Sequence, residues 1–325
     1  MTVEPQDSPI SLDELPALYD PRHLNGLRAT LSTTVAIPVT PFRPDGSVDW
    51  DAHATLIGRL VEHGVEVVTP NGNTGEFYTL TEAETRRAVE SAVAAVAGRA
   101  EVLAGVGLDI DSAVAAARHA REAGAGSVMV HQPVHPYRSA EGWIDYHGAI
   151  ADSVPQLGVV LYVRDPRVSG EQIRTLADRS PNVVGVKYAV PDPVRFACVA
   201  RDAGLDRLTW IAGLAELSTP GYWAVGATGF TSGLVNVVPR LSAALLEALR
   251  GGDYAKAMTV WEQARLFEEL RAADAAADNV SVVKEALAQL GLCGREVRPP
   301  SRSLPPDLRE QIAGLMSRWR EGGWL

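Results

Sequence analysis

Lysine is scarce in this sequence. Only three of the 30 basic side chains are lysines, Lys187, Lys256 and Lys284, and arginine supplies the rest. A chain that places its positive charge on arginine needs a particular reason for each lysine. The two cysteines, Cys198 and Cys293, lie far apart and have neither the spacing of a metal site nor that of a redox motif, so we expect two reduced thiols.

Long apolar runs and excess positive charge are also missing. No stretch approaches the roughly 20 apolar residues of a membrane span, and residues 1–21 lack the basic and apolar regions of a signal peptide. The net charge of −10 and the isoelectric point near 5.2 argue against nucleic acid or an anionic membrane as the main partner. We therefore expect a cytoplasmic protein that acts on a small molecule.

Short apolar runs alternate with amphipathic stretches from Thr33 onward. Each run is apolar almost throughout, which is typical of parallel strands buried on both faces. The eight runs are 33–40, 65–70, 100–107, 126–133, 158–163, 182–187, 208–213 and 226–232. Eight strand–helix repeats predict an α/β fold, a closed (β/α)8 TIM barrel. A doubly wound open sheet is less favoured, because the loop after the first run, TPFRPDGS, is not the glycine-rich turn of such folds.

This pattern divides the chain into three parts. Residues 1–30 show no clear periodicity and are predicted to be an N-terminal extension, and residues 31–250 are predicted to form the catalytic barrel. Residues 251–325 contain helical patterns that we expect to form a C-terminal helical appendage packed on the barrel. Within it, Lys256 is expected on an amphipathic helix and Lys284 on a helix flank.

Two residues stand where the reactive groups of a parallel barrel are found, at the carboxyl ends of strands. Lys187 ends the run 182–187, where partial desolvation lowers the pKa of an amine and makes it a nucleophile. Tyr162 lies at the end of the preceding run, on the same rim, where a phenol can transfer protons. Because lysine is scarce, we favour a catalytic role for Lys187 over that of a surface lysine.

A turn of small residues follows the second run. Asn73, Thr74 and Gly75 precede a predicted helix, and such a turn exposes successive backbone N–H groups to an anion of carboxylate size, although a plain tight turn is the alternative. His131 and His135 are four residues apart, but the proline between them argues against a helix and no third ligand is evident. We therefore expect no metal.

These features together resemble the dihydrodipicolinate synthase / N-acetylneuraminate lyase family of Schiff-base barrels. The resemblance extends from about residue 35 to 300. In order, it includes PVTPF (38–42), GNTGE (72–76), the tyrosine of strand five, GVK (185–187), GATGFTSGLVNVVP (226–239), VKEALAQLG (283–291) and RPP (298–300). The ordered set is far more specific than any single motif.

The resemblance implies that Lys187 forms a Schiff base with a 2-oxo acid and that Tyr162 transfers protons. The implied substrate-binding residues are Asn73, Thr74, Gly75, His135, Arg164, Arg167, Thr231 and Ser232. No cofactor is implied. Members of the family are often tetramers built as dimers of dimers, so we expect a homo-oligomer, either a tetramer or a dimer.

The chain departs from the synthases of this family around the lysine. Asn73 stands where they have the first of two threonines, and the segment with His135 stands where they have a tyrosine pair. The sequence after Tyr162, with Arg164 and Arg167, resembles the branch that dehydrates 5-keto-4-deoxyglucarate, and either arginine can pair with a distal carboxylate or a polyol. We therefore expect a 2-keto-3-deoxy sugar-acid dehydratase or aldolase. The alternatives are a dihydrodipicolinate synthase, which condenses pyruvate with aspartate semialdehyde, and a catalytically silent homologue with a binding or regulatory role.

Overall fold

The computed structural model describes residues 20–325 of the chain. Eight parallel strands pair in chain order, and the last pairs with the first, so the sheet closes into a barrel. The strands are β1 (Thr34–Ala36), β2 (Val67–Val68), β3 (Glu101–Val106), β4 (Ser127–Val130), β5 (Gly158–Val163), β6 (Val183–Tyr188), β7 (Thr209–Ala212) and β8 (Gly229–Ser232). Each falls within one of the eight predicted runs or extends it by one residue, so the predicted TIM barrel is confirmed.

Helices surround the barrel. Helix α1 (Pro21–Leu31) precedes β1. The helices that follow successive strands are α2 (Trp50–Glu62), α3 (Glu82–Val96), α4 (Ile110–Ala123), α5 (Ala140–Ser153), α6 (Gly170–Arg179), α7 (Pro193–Ala203), α8 (Ala215–Trp223) and α9 (Pro239–Arg250). Several begin at a side-chain cap, such as Asp49, Thr81 or Ser169, which accepts a hydrogen bond from the first turn. A proline inside α8 interrupts the helical pattern of its sequence.

The strands are buried on both faces because their side chains alternate between two hydrophobic clusters. One cluster fills the barrel interior and includes Val35, Leu103, Met129, Val160 and Ile211. The larger cluster lies between the strands and the surrounding helices. The position of a residue within its strand therefore decides whether its side chain faces the interior or the helices.

Helix α1 closes the amino-terminal end of the barrel. Its buried leucines, Leu24, Leu27 and Leu31, belong to the interior cluster. A Cβ atom at Gly158, the first residue of β5, would lie 2.8 Å from the Leu27 side chain. Within the predicted extension of residues 1–30, the structure shows that residues 21–30 belong to this helix, whose leucines recur at helical spacing. Residues 1–19 of that predicted extension lie outside the described residues.

Three further helices follow the barrel: α10 (Tyr254–Ala276), α11 (Asn279–Gln289) and α12 (Pro306–Glu321). Helix α10 packs against α8 and α9, and α11 packs against the turn that follows β2. A kink at 273–275, where Asp274 has a φ of +49°, turns the chain from α10 towards α11. No helix within residues 20–325 is both long and apolar enough to cross a membrane.

The two lysines of these C-terminal helices differ in burial. Lys256 is exposed and lies 3.5 Å from the Glu247 carboxylate. Lys284 is fully buried; its ammonium donates to the Glu76 carboxylate and, at 2.8 Å, to the backbone oxygen of Glu296. The expectation that Lys284 lies on a helix flank is wrong, because residues 280–287 of α11 are all buried and this stretch has no face towards solvent.

Candidate active site

Lys187 lies inside the barrel beside Tyr162. The two residues are aligned in the register between β5 and β6, and the Lys187 amine is 4.1 Å from the centre of the Tyr162 ring. Only 4% of Lys187 is exposed. Burial lowers the pKa of Lys187 to about 7, and the positive charges of Arg164 and Arg271 act in the same direction. A substantial fraction of this lysine is therefore a neutral amine at neutral pH.

The Tyr162 hydroxyl is buried and bonded. It accepts a hydrogen bond from the Asn73 carboxamide at 3.1 Å. Burial raises the pKa of Tyr162 to about 12, although the charge of Arg164 opposes the shift. The phenol therefore keeps its proton at neutral pH and can donate it. Strands β5 and β6 each run one residue beyond Tyr162 and Lys187, so both lie just before the strand ends.

The turn after β2 places small polar groups beside Tyr162. Asn73–Gly75 forms one turn of 3-10 helix, and Glu76 follows in the left-handed region with a φ of +58°. A Cβ atom at Gly75 would lie 3.0 Å from the backbone oxygen of Pro38, so a larger residue would push the turn away from the barrel. The carboxamide oxygen of Asn73 has no hydrogen-bond partner among the described residues and remains able to accept one from a substrate.

The backbone N–H groups of this turn are used unequally. Those of Gly75 and Glu76 donate to the carbonyl oxygens of Gly72 and Asn73, both at 3.0 Å. The predicted carboxylate nest is therefore reduced to the amides of Asn73 and Thr74, together with the Thr74 hydroxyl. Gly75, predicted to contact the substrate, instead holds the turn against the barrel.

A buried carboxylate ties this turn to the C-terminal part of the chain. Glu76 accepts hydrogen bonds from the Lys284 ammonium and, at 3.0 Å, from the backbone N–H of Arg298. The Arg298 guanidinium pairs with Glu84 at 2.7 Å and lies over the Phe42 ring. The C-terminal helices therefore help to hold the candidate carboxylate site in place.

Arg164 and Arg167, both predicted to bind a distal substrate group, have different surroundings. Arg167 and Arg138 pair with the Asp165 carboxylate at 2.7 and 2.6 Å, and they hold its pKa well below the usual range. Arg164 is exposed; its charge adds to the effect of burial in lowering the pKa of Lys187, and it opposes the effect of burial in raising the pKa of Tyr162. Of the two arginines, Arg164 is therefore the one whose charge reaches the site.

His131, considered in the sequence only as a metal ligand, is buried and lies against the tyrosine. Its ring stacks on Phe77 with centres 4.3 Å apart and meets the Tyr162 ring edge-on at 5.7 Å. Its Nε2–H donates to the backbone oxygen of Asn71 at 2.8 Å, and burial lowers the pKa of His131 to about 3. His131 is therefore a neutral residue that fixes the position of Tyr162.

His135 lies elsewhere, on the exposed loop after β4. Its ring bonds to the backbone oxygen of Tyr137 at 2.7 Å, within the same loop. The placement gives no support to the predicted substrate contact from His135. The inward side chain of Met129 in β4 is a signal that identifies His131, because residues two apart on an extended segment face the same side.

The two hydroxyl residues that end β8 face opposite sides of the strand. Thr231 aligns with Val35 of the interior cluster and faces the barrel interior. Ser232 points towards the helices, where its hydroxyl donates to Glu216 of α8 at 2.6 Å. The prediction that Ser232 contacts substrate is wrong, because adjacent residues of a strand point to opposite faces.

A parallel barrel that encloses a buried lysine beside a protonated phenol is the architecture of a lyase of the class I aldolase type. The sequence profile of the Dihydrodipicolinate synthetase family matches residues 30–318. This match covers most of the chain, and the protein therefore belongs to that family.

Individual relatives agree with the family but carry two different enzyme names. A 4-hydroxy-tetrahydrodipicolinate synthase from Sorangium cellulosum is 36% identical over 294 residues, or 89% of this chain and 96% of the relative. The "Probable 5-dehydro-4-deoxyglucarate dehydratase" of Ralstonia nicotianae is 31% identical over 287 residues, or 87% of this chain and 92% of the relative. The crystal structure of dihydrodipicolinate synthase from Oceanobacillus iheyensis superposes with a TM-score of 0.87 at 37% identity, over 92% of this chain and 99% of that one.

Proposed function

We propose that the protein binds a 2-oxo acid covalently, as a Schiff base on Lys187. The observation that carries this proposal is the environment of the Lys187 amine. It is buried inside the barrel, and the two charged side chains that shift its pKa, Arg164 and Arg271, are both cations. An amine with a pKa near 7 supplies the neutral nucleophile that attack on a carbonyl requires.

The reaction begins when the Lys187 amine attacks the C2 carbonyl of the acid. The carbinolamine that forms loses water and becomes an iminium, which withdraws electrons from C3. Loss of a C3 proton, cleavage of the C3–C4 bond or loss of a 4-hydroxyl group then becomes feasible. Tyr162 is placed to give a proton to the departing water and to take one back from the substrate.

The turn after β2 supplies the binding site for the substrate carboxylate in this proposal. The backbone amides of Asn73 and Thr74 stabilise the anionic end of the acid and orient its C2 carbon towards Lys187. Thr231, which faces the interior from β8, is the further candidate contact. The buried ion pair between Glu76 and Lys284 keeps this geometry fixed before substrate binds.

Within this class we propose a 2-keto-3-deoxy sugar acid as the substrate of a dehydratase or an aldolase. The hydrogen bond from the Asn73 carboxamide to Tyr162 supports this choice. By the family resemblance, the first threonine and the tyrosine pair of the synthases form a relay of hydroxyl groups that carries protons to the substrate. A carboxamide donates an N–H but does not pass a proton on as a hydroxyl does, so this relay cannot form through residue 73. Arg164 adds a cation near the site that suits the second carboxylate of a dicarboxylic sugar acid, such as the one in the name of the Ralstonia nicotianae relative.

The second candidate is the condensation of pyruvate with aspartate semialdehyde. The names of the Sorangium cellulosum relative and of the Oceanobacillus iheyensis structure favour it. Arg164 suits this reaction too, since aspartate semialdehyde also carries a carboxylate. Both candidates begin with a Schiff base between Lys187 and a 2-oxo acid. They differ in whether that acid is then cleaved or dehydrated, or is joined to aspartate semialdehyde.

Two experiments test the proposal in sequence. Incubation with pyruvate and borohydride should add the mass of a reduced pyruvyl group to the peptide that contains Lys187 and to neither of the other lysine peptides. If no lysine peptide gains this mass, the protein is a catalytically silent homologue with a binding role. Comparison of kcat/KM for 5-keto-4-deoxyglucarate, for its monocarboxylic analogues and for pyruvate with aspartate semialdehyde then separates the candidates. A higher value for the last pair would overturn the sugar-acid assignment.

A further inference from the structure

A pocket outside the barrel is lined by residues that the proposed reaction does not use. It lies where the end of α2 and the start of α9 meet the ends of α11 and α12, and its volume is about 460 Å³. Cavities of this size commonly hold small organic molecules. The pocket shares no residue with the candidate active site, so any ligand that it binds is a separate one.

The side chains that line this pocket carry positive charge without negative charge. Arg59, His63, Arg240 and Arg320 belong to the lining, and no aspartate or glutamate does. Within residues 20–325, none of these four side chains forms an ion pair with a carboxylate. The whole chain has 40 acidic and 30 basic residues, so carboxylates are plentiful elsewhere. A cavity of this sign on an acidic protein attracts anions.

Arg59 is the best ordered of these cations. It is partly buried, and its guanidinium donates to the backbone oxygens of Asn236 at 2.7 Å and Val237 at 3.2 Å. Neutral carbonyl groups do not balance its charge, whereas the partly buried Arg138 and Arg298 each pair with a carboxylate. A guanidinium has more N–H donors than these two bonds use, so Arg59 can still donate to an anion in the pocket.

The turn that holds Arg59 is itself fixed. Leu234–Asn236 forms one turn of 3-10 helix after β8. The Asn236 carboxamide donates to the backbone oxygens of Ile37 at 2.8 Å and Gly233 at 2.9 Å. The guanidinium of Arg59 is therefore in place before any ligand binds, and a preorganised donor loses little conformational entropy on binding.

The rest of the pocket is apolar and includes an indole. After α12 the chain turns at Gly323, which has a φ of +72°, and the backbone N–H of Trp324 donates to the Trp319 carbonyl at 2.8 Å. This turn folds Trp324 back into the lining, where Leu290 and Leu292 also contribute apolar surface. An indole beside aliphatic side chains is a suitable surface for a flat apolar group.

We propose that this pocket binds a small organic anion, with a carboxylate or phosphate head on an apolar body. The head pairs with the arginines of the lining, and the body packs against Trp324. A bare inorganic anion would leave the apolar surface uncovered, and an uncharged aromatic molecule would leave the arginines without a counter-ion. Both parts of the ligand are therefore needed. The proposal does not depend on the chemistry at Lys187.

Titration calorimetry on the full chain tests the proposal with four probes. The probes 1-naphthyl phosphate and 2-naphthoate combine head and body, inorganic phosphate is a head alone, and 2-naphthol is a body without charge. The two naphthyl anions should bind one molecule per chain, about tenfold or more tightly than either partial probe. Arg59→Gln should weaken their binding by about 10–100-fold, and Arg320→Gln, at an exposed position, by about 5-fold.

The matched control is Arg318→Gln. Arg318 is also exposed and lies in the same last turn of α12, but it lines a separate groove between α10 and α12. Its removal changes the net charge by the same amount as Arg320→Gln and should leave the affinity unchanged. Trp324→Leu should weaken the naphthyl anions by about 5-fold and leave the affinity for inorganic phosphate as it was.

Three results would overturn the proposal: no binding of either naphthyl anion at millimolar concentration, equal affinity for 2-naphthol, or equal losses in Arg318→Gln and Arg320→Gln. The last comparison decides the matter even if Arg59→Gln fails to fold. Loss of probe binding in Lys187→Ala would place the probe in the barrel and would also overturn it. Failure of the proposed function gives a different result, because pyruvate and borohydride would then add no mass to Lys187 while the naphthyl anions still bind.

Discussion

Two of the three lysines are buried, and they differ in what faces the amine. Lys284 lies against the Glu76 carboxylate, whereas Lys187 lies beside an aromatic ring and is influenced by two arginines. Burial lowers the pKa of both, but the carboxylate opposes that shift at Lys284. A buried lysine with a counter-ion keeps its charge, whereas one without a counter-ion loses its proton more easily and presents a neutral amine. Burial alone therefore does not identify a catalytic lysine.

The contrast extends to the regions around the two lysines. The barrel interior provides an environment in which an amine loses its proton. The contact between α11 and the turn after β2 provides one in which an ion pair fixes the backbone. Because Glu76 directly follows Asn73–Gly75, Lys284 holds in place the candidate carboxylate site that the proposed reaction at Lys187 requires.

Removal of the Lys187 amine should have the largest effect. We expect Lys187→Ala to lower kcat by more than a factor of about 100, or roughly 3 kcal/mol in activation free energy, because the nucleophile is lost. The unfolding midpoint should change little, since the substitution leaves no buried charge behind. Lys256→Ala is the exposed control and should keep wild-type kcat. A Lys187→Ala enzyme with more than about a hundredth of wild-type kcat is incompatible with the Schiff-base assignment.

The phenol beside the amine gives the next largest expected effect. Tyr162→Phe should lower kcat by about 10²–10⁴-fold and change KM weakly, because the ring still packs and the proton donor is lost. Tyr188→Phe is a close control: this buried tyrosine is next to Lys187 on β6, faces the helices, and its hydroxyl has no hydrogen-bond partner among the described residues. Equal kcat values for the two variants would assign proton transfer to another group.

At the structural lysine the expected effect is on stability. Lys284→Met leaves the Glu76 carboxylate buried without its cation, which should lower the free energy of unfolding by about 3–5 kcal/mol. The double variant Lys284→Met/Glu76→Gln removes the charge as well and should recover part of that loss. Denaturant unfolding of the three proteins measures both effects. If single and double variants unfold at the same denaturant concentration, the ion pair does not hold this region together.

The smallest expected effect concerns the two arginines after β5. Arg164→Leu should lower kcat/KM for a dicarboxylic sugar acid by about 10–150-fold, the value of a charge-assisted hydrogen bond of about 1.5–3 kcal/mol. The monocarboxylic analogue should react nearly as before. Arg167→Leu should change the ratio less, since Arg167 is already paired with Asp165. If neither variant lowers the ratio of kcat/KM for the dicarboxylic acid to kcat/KM for the monocarboxylic analogue, both arginines are ordinary loop residues.

The barrel and the placement of Lys187 beside Tyr162 could be predicted because their signals are local. Each apolar run reports its own strand, and the rule that reactive groups lie at carboxyl ends then selects Lys187 and Tyr162. The face of a strand on which a side chain lies is harder to predict than the strand itself. Because both faces of these strands are apolar, the sequence does not show which alternate residues face the barrel interior, and for this reason Ser232 was assigned to the substrate site and the position of His131 beside Tyr162 was not predicted.

Other features depended on contacts between distant parts of the chain. The partner of Lys284 is Glu76, 208 residues earlier, and no local pattern encodes that pairing. In the sequence, Arg164 and Arg167 are equivalent candidates for a distal substrate group, and only the structure shows that Arg167 is paired with Asp165. The helical spacing of α1 was readable in its leucines, but its position against the barrel interior was not, because a helix of 11 residues carries no signal of what it covers.

The leucines of α1 have a kinetic consequence. Because they close the amino-terminal end of the barrel, a substrate reaches Lys187 from the opposite end and its products leave by the same route. An acid bound to Lys187 then sits deepest, and any second reactant or leaving group lies between it and the solvent. In the proposed Schiff-base reaction, the 2-oxo acid joined to Lys187 would therefore enter first and depart last. Product inhibition should follow the pattern of an ordered mechanism, with the released 2-oxo acid competing with the substrate for the free enzyme.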